Sequence, residues 1–205
     1  MQEIVTASLF FATVAALIPG PLMTLIISET LRHGKISGIA IALAPLLTDL
    51  PIMLASIFIL SKLQHLNTLL GVISLFGACY LTYLAYENIR IKEVHLQITS
   101  RKRSLIKGII TNFLNPNPYI FYFSILAPIA VRGMKANFLY GPATVVIFLG
   151  FFVFLNICTA FLADKVKGVL HSRRYVYVIR TLGFILLIFS LLFFRDSLKF
   201  FGIIK

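Results

Sequence analysis

One acidic side chain lies deep inside an apolar segment of this 205-residue chain. Asp49 is the 14th of the 26 residues from Ile36 to Ser61, which include no other Asp, Glu, Lys or Arg. At the centre of a bilayer an ionised Asp costs about 3 kcal/mol or more, so it has to face protein or water. Two interpretations stay open. Asp49 either couples a proton or cation or balances a bound amine, or it ties helices together through hydrogen bonds.

A second polar group interrupts the 24-residue run from Gly108 to Val131, which contains no charged residue. Residues 112–118 of the run hold three asparagines and two prolines, namely Asn112, Asn115, Pro116, Asn117 and Pro118. Each proline lacks a backbone donor and opposes the preceding helical turn, so carbonyl groups are left without partners. Irregular backbone at membrane depth occurs only where it is buried in protein or lines a wet cavity. The pattern favours a solute site over hydrogen bonds that only pack helices.

The first apolar run carries a similar interruption at Pro19, Gly20 and Pro21. The glycine lets another group approach the backbone, and the alternative is a simple kink. Two interrupted spans in a small membrane protein predict a solute site between them. Asn156, in a later apolar run, is expected to join the same polar cluster.

The composition is that of a membrane protein, with 59% hydrophobic and 13% charged residues. The formal net charge of +12 comes from short basic segments between apolar runs, where cations set orientation and meet lipid headgroups. Membrane lipid is therefore an expected partner, and nucleic acid is not. The absence of Lys and Arg before the first apolar run argues against a cleaved signal peptide.

The chain reads as a single all-α integral membrane domain, residues 1–205, with six transmembrane helices. The predicted spans 1 to 6 cover residues 4–28, 36–61, 63–86, 108–131, 136–163 and 175–194. Span 6 is the weakest, because it needs Arg180 to reach the interface from inside the helix. Five spans and a surface segment are the alternative.

Orientation follows from the basic residues. Thirteen of the 19 Lys and Arg lie in connections 1–2, 3–4 and 5–6, with Arg180 counted in the last. The positive-inside rule places those connections in the cytoplasm and both termini outside. Three spans in each half predict two halves of opposite orientation, a 3+3 inverted repeat in which helices 1 and 4 are broken.

Catalytic chemistry finds no support in the sequence, which has no Gly-x-Ser-x-Gly, His-Glu-x-x-His or phosphate-binding loop. We therefore expect no enzyme, no cofactor and no ATP-driven step. The two cysteines, Cys79 and Cys158, lie in apolar runs, and the four histidines show no metal-ligand spacing, so no metal site is expected.

The chain resembles the LysE/RhtB superfamily of small amino-acid exporters from near one end to the other. The residues that carry the resemblance are Pro19-Gly20-Pro21, then Gly34, Gly38 and Asp49, then Gly71 to Leu84, Asn112 to Pro116, and Arg173-Arg174. The resemblance implies a six-helix plasma-membrane exporter of amino acids or related metabolites, driven by a proton or cation gradient and assembling as a homo-oligomer. This chain departs from the family at Asn117 and Pro118, where a lysine usually follows the Asn-Pro pair.

These observations lead to a secondary exporter of a small polar solute as the predicted function. The predicted solute-binding residues are Pro19, Gly20, Pro21, Asn112, Asn115, Pro116, Asn117, Pro118 and Asn156, with Asp49 coupling the ion. A channel or cation exporter is one alternative. The other is a scaffold that does not transport and recruits partners through the basic connection 87–107.

Overall fold

A computed structural model describes residues 2–59, 66–91, 101–167 and 172–204. These residues form α-helices joined by short turns, with one π-helical segment and no strand in the described ranges. The helices are α1 Gln2–Leu17, α2 Pro21–His33, α3 Lys35–Ala42, α4 Ala44–Ile59, α5 Leu66–Ile89, α6 Arg101–Phe113, α7 Pro116–Phe121, α8 Ala127–Ala136, α9 Tyr140–Lys167 and α10 Ser172–Phe200. The π-helix, Tyr122–Leu126, joins α7 to α8.

Four helical stretches of the described chain are long and apolar enough to cross a membrane, and a bent pair adds a fifth. The four are Lys35–Ser56, Leu70–Ile89, Tyr140–Val166 and Val176–Phe200, and the pair is α1 with α2, bent by 60°. The protein is therefore a multi-pass membrane protein. The predicted fourth span is assembled from shorter pieces, of which α6 is the longest at 13 residues, about 20 Å.

The two breaks arise where proline begins a new helix. Pro21 is the first residue of α2, and Pro116 is the first residue of α7. Proline is tolerated at that position because the first backbone N–H of a helix has no intrahelical acceptor. Each proline thus starts a helix, and the open turn lies just before it.

Several predicted boundaries shift in the structure. The helix containing span 6 runs from Ser172 to Phe200, which is longer than predicted because Arg195 and Lys199 continue it. Helix α6 begins at Arg101, so the basic connection 87–107 is partly helical. Residues 60–65, where predicted spans 2 and 3 meet, lie outside the described residues, as do 92–100.

Helices α5 and α10 pack against each other along their lengths. The Ser190 Oγ donates to the carbonyl of Ala78 at 2.9 Å, and the Ser197 Oγ donates to that of Gly71 at 2.9 Å. In a bilayer the hydrophobic effect does not drive helices together. Close contacts at small residues and hydrogen bonds from hydroxyl groups, as found here, stabilise their packing instead.

Gly77 on α5 lies against the backbone of the second break. A Cβ atom at Gly77 would clash with the carbonyl oxygen of Leu114 and lie 2.9 Å from Cδ2 of Phe193. The close approach of α5 to residue 114 therefore requires glycine. This contact fixes the position of the turn that opens beside the cavity described next.

Candidate functional site

A cavity of about 360 Å³ lies between the two breaks. Nine of the ten residues predicted for the site line it: Pro19, Gly20, Pro21, Asp49, Asn112, Asn115, Asn117, Pro118 and Asn156. Pro116 is not among the lining residues, because it is buried as the first residue of α7. The structure thus brings spans 1, 2, 4 and 5 together around one hollow.

Asp49 is buried, with 1% of its surface exposed, and accepts hydrogen bonds from span 4. The Tyr122 hydroxyl donates to Oδ2 at 2.6 Å, and the Asn112 side-chain amide donates to Oδ1. The same amide donates to the Thr48 hydroxyl at 2.6 Å. Within the described residues, Asp49 forms no ion pair. Its carboxylate is held by neutral donors alone.

Tyr122 was not identified from the sequence. It is 3% exposed and is the first residue of the π-helix, in which one extra residue per turn changes the direction of side chains. A tyrosine inside a charge-free run was the available signal, but its contact with Asp49 depends on this local change of helix type.

The four asparagines of the cavity differ in how far their side chains are already hydrogen-bonded within the protein. The Asn115 Oδ1 accepts from the backbone N–H of Asn117 at 3.0 Å and caps α7, so part of its polar capacity serves the break itself. The Asn156 amide donates to the Phe152 carbonyl one turn earlier, at 2.9 Å. Asn112 is committed to Asp49 and Thr48. The Asn117 side chain lines the cavity and has no hydrogen-bond partner among the described residues.

The first break gives the cavity a backbone wall. A Cβ atom at Gly20 would meet only the Ile18 carbonyl, at 3.9 Å, so no other helix uses the space beside this glycine. The predicted close approach is therefore to the cavity. Leu22 and Met23, in the first turn of α2, also line it, and backbone N–H groups at that position lack intrahelical acceptors.

Aromatic rings form another wall. Phe121 stacks on Phe148 with centroids 5.5 Å apart, and Phe148 stacks on Phe152 at 5.9 Å. Phe148, Phe152 and Asn156 are spaced four residues apart on α9, so one face of that helix borders the hollow.

A cluster of buried charges lies at the other end of α2, away from the break. The Lys107 Nζ of α6 is 2.9 Å from Oε1 of Glu29 on α2 and 3.1 Å from Oε2 of Glu87 on α5. Arg32 pairs with Glu87 at 2.9 Å, and His33 Nδ1 lies 3.0 Å from Glu29. In the sequence these residues lie at or just beyond the ends of predicted spans, and nothing there predicts their pairing. We call them the Glu29–Lys107 cluster.

No group of three or more potential metal ligands (His, Cys, Asp or Glu) comes together in the described residues. Cys79 and Cys158 are free, on α5 and α9. The charged and polar groups at the cavity are suited to bind a small solute or a monovalent cation.

The fold and the cavity define a polytopic membrane protein with broken helices around a polar hollow. A family model described as LysE type translocator matches residues 13–197, and the chain belongs to that family. It is therefore a membrane exporter. Searches among curated proteins and among solved structures returned no match.

Proposed function

We propose that the protein is a secondary active exporter of amino acids or related small polar metabolites, driven by a proton or cation gradient. The observation that carries the proposal is the cavity at the two helix breaks, lined by Asp49 and four asparagines. The asparagine side chains and the free backbone groups at the start of α2 suit a zwitterion, since a helix N-terminus attracts a carboxylate.

Asp49 is the coupling group in this proposal. An intramembrane carboxylate with no cationic partner gains most from a proton or a cation that arrives beside it. Tyr122 and Asn112 connect it to the second break, which borders the solute. Protonation of Asp49 would change these bonds and hence the position of the broken segment.

The proposal includes six spans in a 3+3 inverted repeat within a single domain of the plasma membrane, with both termini outside. The helix contacts support the repeat. α1 and α2 of span 1 pack on α9 of span 5, as α6 and α7 of span 4 pack on α4 of span 2, and span 3 packs on span 6. Homo-oligomer formation stays a prediction from the resemblance.

Efflux from proteoliposomes tests the proposal. The native protein should export an amino acid saturably when a proton or cation gradient is applied, and Asp49→Asn should lose the dependence on the gradient. Asp196→Asn is the control, since Asp196 sits in an ion pair with Arg195 far along α10.

Full gradient-driven efflux by Asp49→Asn would overturn the coupling role. Flux that does not saturate and ignores the counter-ion would indicate a channel. No flux of any solute, together with a cellular phenotype that depends only on connection 87–107, would indicate a scaffold.

A further inference from the structure

We infer that the cavity selects solutes whose side chain is uncharged and apolar, such as leucine or phenylalanine. The inference rests on the proposed function and narrows its substrate class. It follows from two properties of the cavity wall, its charges and its aromatic rings.

The charges come first. Asp49 is the one ionisable acid among the described lining residues, and none of those residues is Lys, Arg or His. An acidic side chain of a solute would find no cation, and a basic one would compete with the coupling proton or cation for Asp49. A charged side chain without a partner is costly to remove from water. Asn117, which borders the cavity, brings no charge to it.

Contact with the aromatic rings of the cavity wall supplies the favourable part of the binding free energy. Phe121 of α7 stacks on Phe148 of α9, which stacks in turn on Phe152, and Phe189 of α10 also borders the hollow. Apolar surface buried against such a wall contributes about 25 cal/mol per Å². The backbone part of an amino acid is then left for the asparagines and the start of α2.

The test is competition in the efflux assay, with leucine and phenylalanine against lysine, arginine, aspartate and glutamate at equal concentration. We expect the two apolar amino acids to be exported at least tenfold faster than any charged one. In Phe152→Ala the preference should fall severalfold, while in Phe154→Ala, whose side chain is exposed on the same helix, it should not change.

Faster export of lysine or glutamate would overturn the substrate class and leave the exporter proposal intact. Absence of gradient-driven export for every solute would instead count against the proposed function. An unchanged preference in Phe152→Ala, with normal protein yield, would contradict the role of the aromatic wall.

A different observation carries a second inference. Helices α2 and α6 run from the cavity to the same end of the molecule, where Glu29 and Lys107 join them at 2.9 Å. Glu29 is 1% exposed and Lys107 is 8% exposed. On the other side of the breaks, no ion pair among the described residues joins α1 to α8. The described ion pairs between helices therefore lie on one side of the cavity only.

We propose that the Glu29–Lys107 cluster is the gate that closes the cavity toward the cytoplasm. This also rests on the proposed function, since the orientation comes from the basic connections. For solute to enter from the cytoplasm, α2 and α6 have to separate, and this ion pair has to open. When the pair opens, Lys107 still has Glu87 of α5 at 3.1 Å and Glu29 still has Arg32 of its own helix at 3.8 Å, so neither charge is left without a partner.

Thiol labelling from each side of the membrane tests the gate. In a background without Cys79 and Cys158, Asn117→Cys reports access to the cavity with an impermeant maleimide. Without solute, labelling should be slow from the cytoplasmic side. Glu29→Gln combined with Lys107→Gln should raise that rate about tenfold, the change that about 1.4 kcal/mol produces in a two-state equilibrium.

Arg195→Gln, which breaks the exposed pair with Asp196, is the control and should leave the rate unchanged. Fast cytoplasmic labelling of the otherwise intact chain would overturn the gate without needing the double variant. An unchanged rate in a folded double variant would do the same, and neither result would bear on whether the protein exports solute.

Discussion

The two buried polar clusters both include residues of the α6–α7 region but are balanced in opposite ways. Around Asp49, one carboxylate is met by a hydroxyl and an amide, and it borders the cavity. Around Glu29, two carboxylates meet Lys107 and Arg32, at the far end of α2. A charge held by neutral donors can be neutralised by an arriving ion, whereas a charge with a fixed partner resists change. The difference separates the part suited to coupling from the part suited to closure.

The largest expected effect on stability comes from breaking the balanced cluster. Lys107→Met leaves Glu29 buried without its closest cation and should destabilise the protein by about 3–5 kcal/mol. Thermal unfolding in detergent measures this. Lys135→Met, at an exposed position on α8, is the control and should change little.

Removing both charges of the Glu29–Lys107 pair tests whether the unpaired carboxylate causes the loss of stability. Adding Glu29→Gln to Lys107→Met should recover part of the loss, because no unpaired carboxylate is left at that position. If Lys107→Met unfolds at the temperature of the native protein, the ion pair contributes nothing and the contrast between the clusters fails.

Tyr122→Phe addresses the other cluster. The Asp49 carboxylate loses a buried donor at 2.6 Å, so the loss should be about 1.5–3 kcal/mol, the range for bonds to charged groups. Unfolding and gradient-driven efflux should both be affected. Tyr177→Phe, an exposed tyrosine of α10, serves as the control. If Tyr122→Phe unfolds and exports like the native protein, as Tyr177→Phe should, then Asp49 does not depend on the Tyr122 hydroxyl.

Gly77→Ala tests whether the turn at the second break is held rigidly against α5. A methyl group there meets the Leu114 carbonyl, and overpacking of this kind costs about 1–3 kcal/mol. Gly150→Ala has no atom within 4 Å of the new carbon and should be neutral or stabilising by up to about 1 kcal/mol. Equal unfolding temperatures for the two variants would show that the break can move away from α5.

The smallest expected effect is that of Ser190→Ala. It removes the bonds to Ala78 and Thr82, which are neutral and belong to neither cluster. Hydrogen bonds between membrane helices average about 0.6 kcal/mol, so the unfolding temperature should fall only slightly. A loss as large as that of Lys107→Met would mean that burial of charge is not what distinguishes the Glu29–Lys107 cluster.

The sequence predicted the two breaks because the effect of proline on a helix is local. It also predicted that Asn112, Asn115, Asn117 and Pro118 of span 4 surround the hollow. The same prediction for Pro116 was wrong. The contact of Asp49 with Tyr122 depends on the rotation of two helices and on the π-helix, and no periodicity reveals either. The pairing of Glu29 with Lys107 joins residues 78 positions apart, and only the packing of α2 on α6 brings them together. The functional roles of all these residues stay predictions.

The π-helix changes the angular relation between α7 and α8. A π-turn accommodates one residue more than an α-turn, so everything after Leu126 is rotated by about 100° relative to a regular continuation of α7. The lipid-facing stripe of α8 is thus out of phase with that of α7. Deleting a single residue between 123 and 126 would bring the two stripes into register.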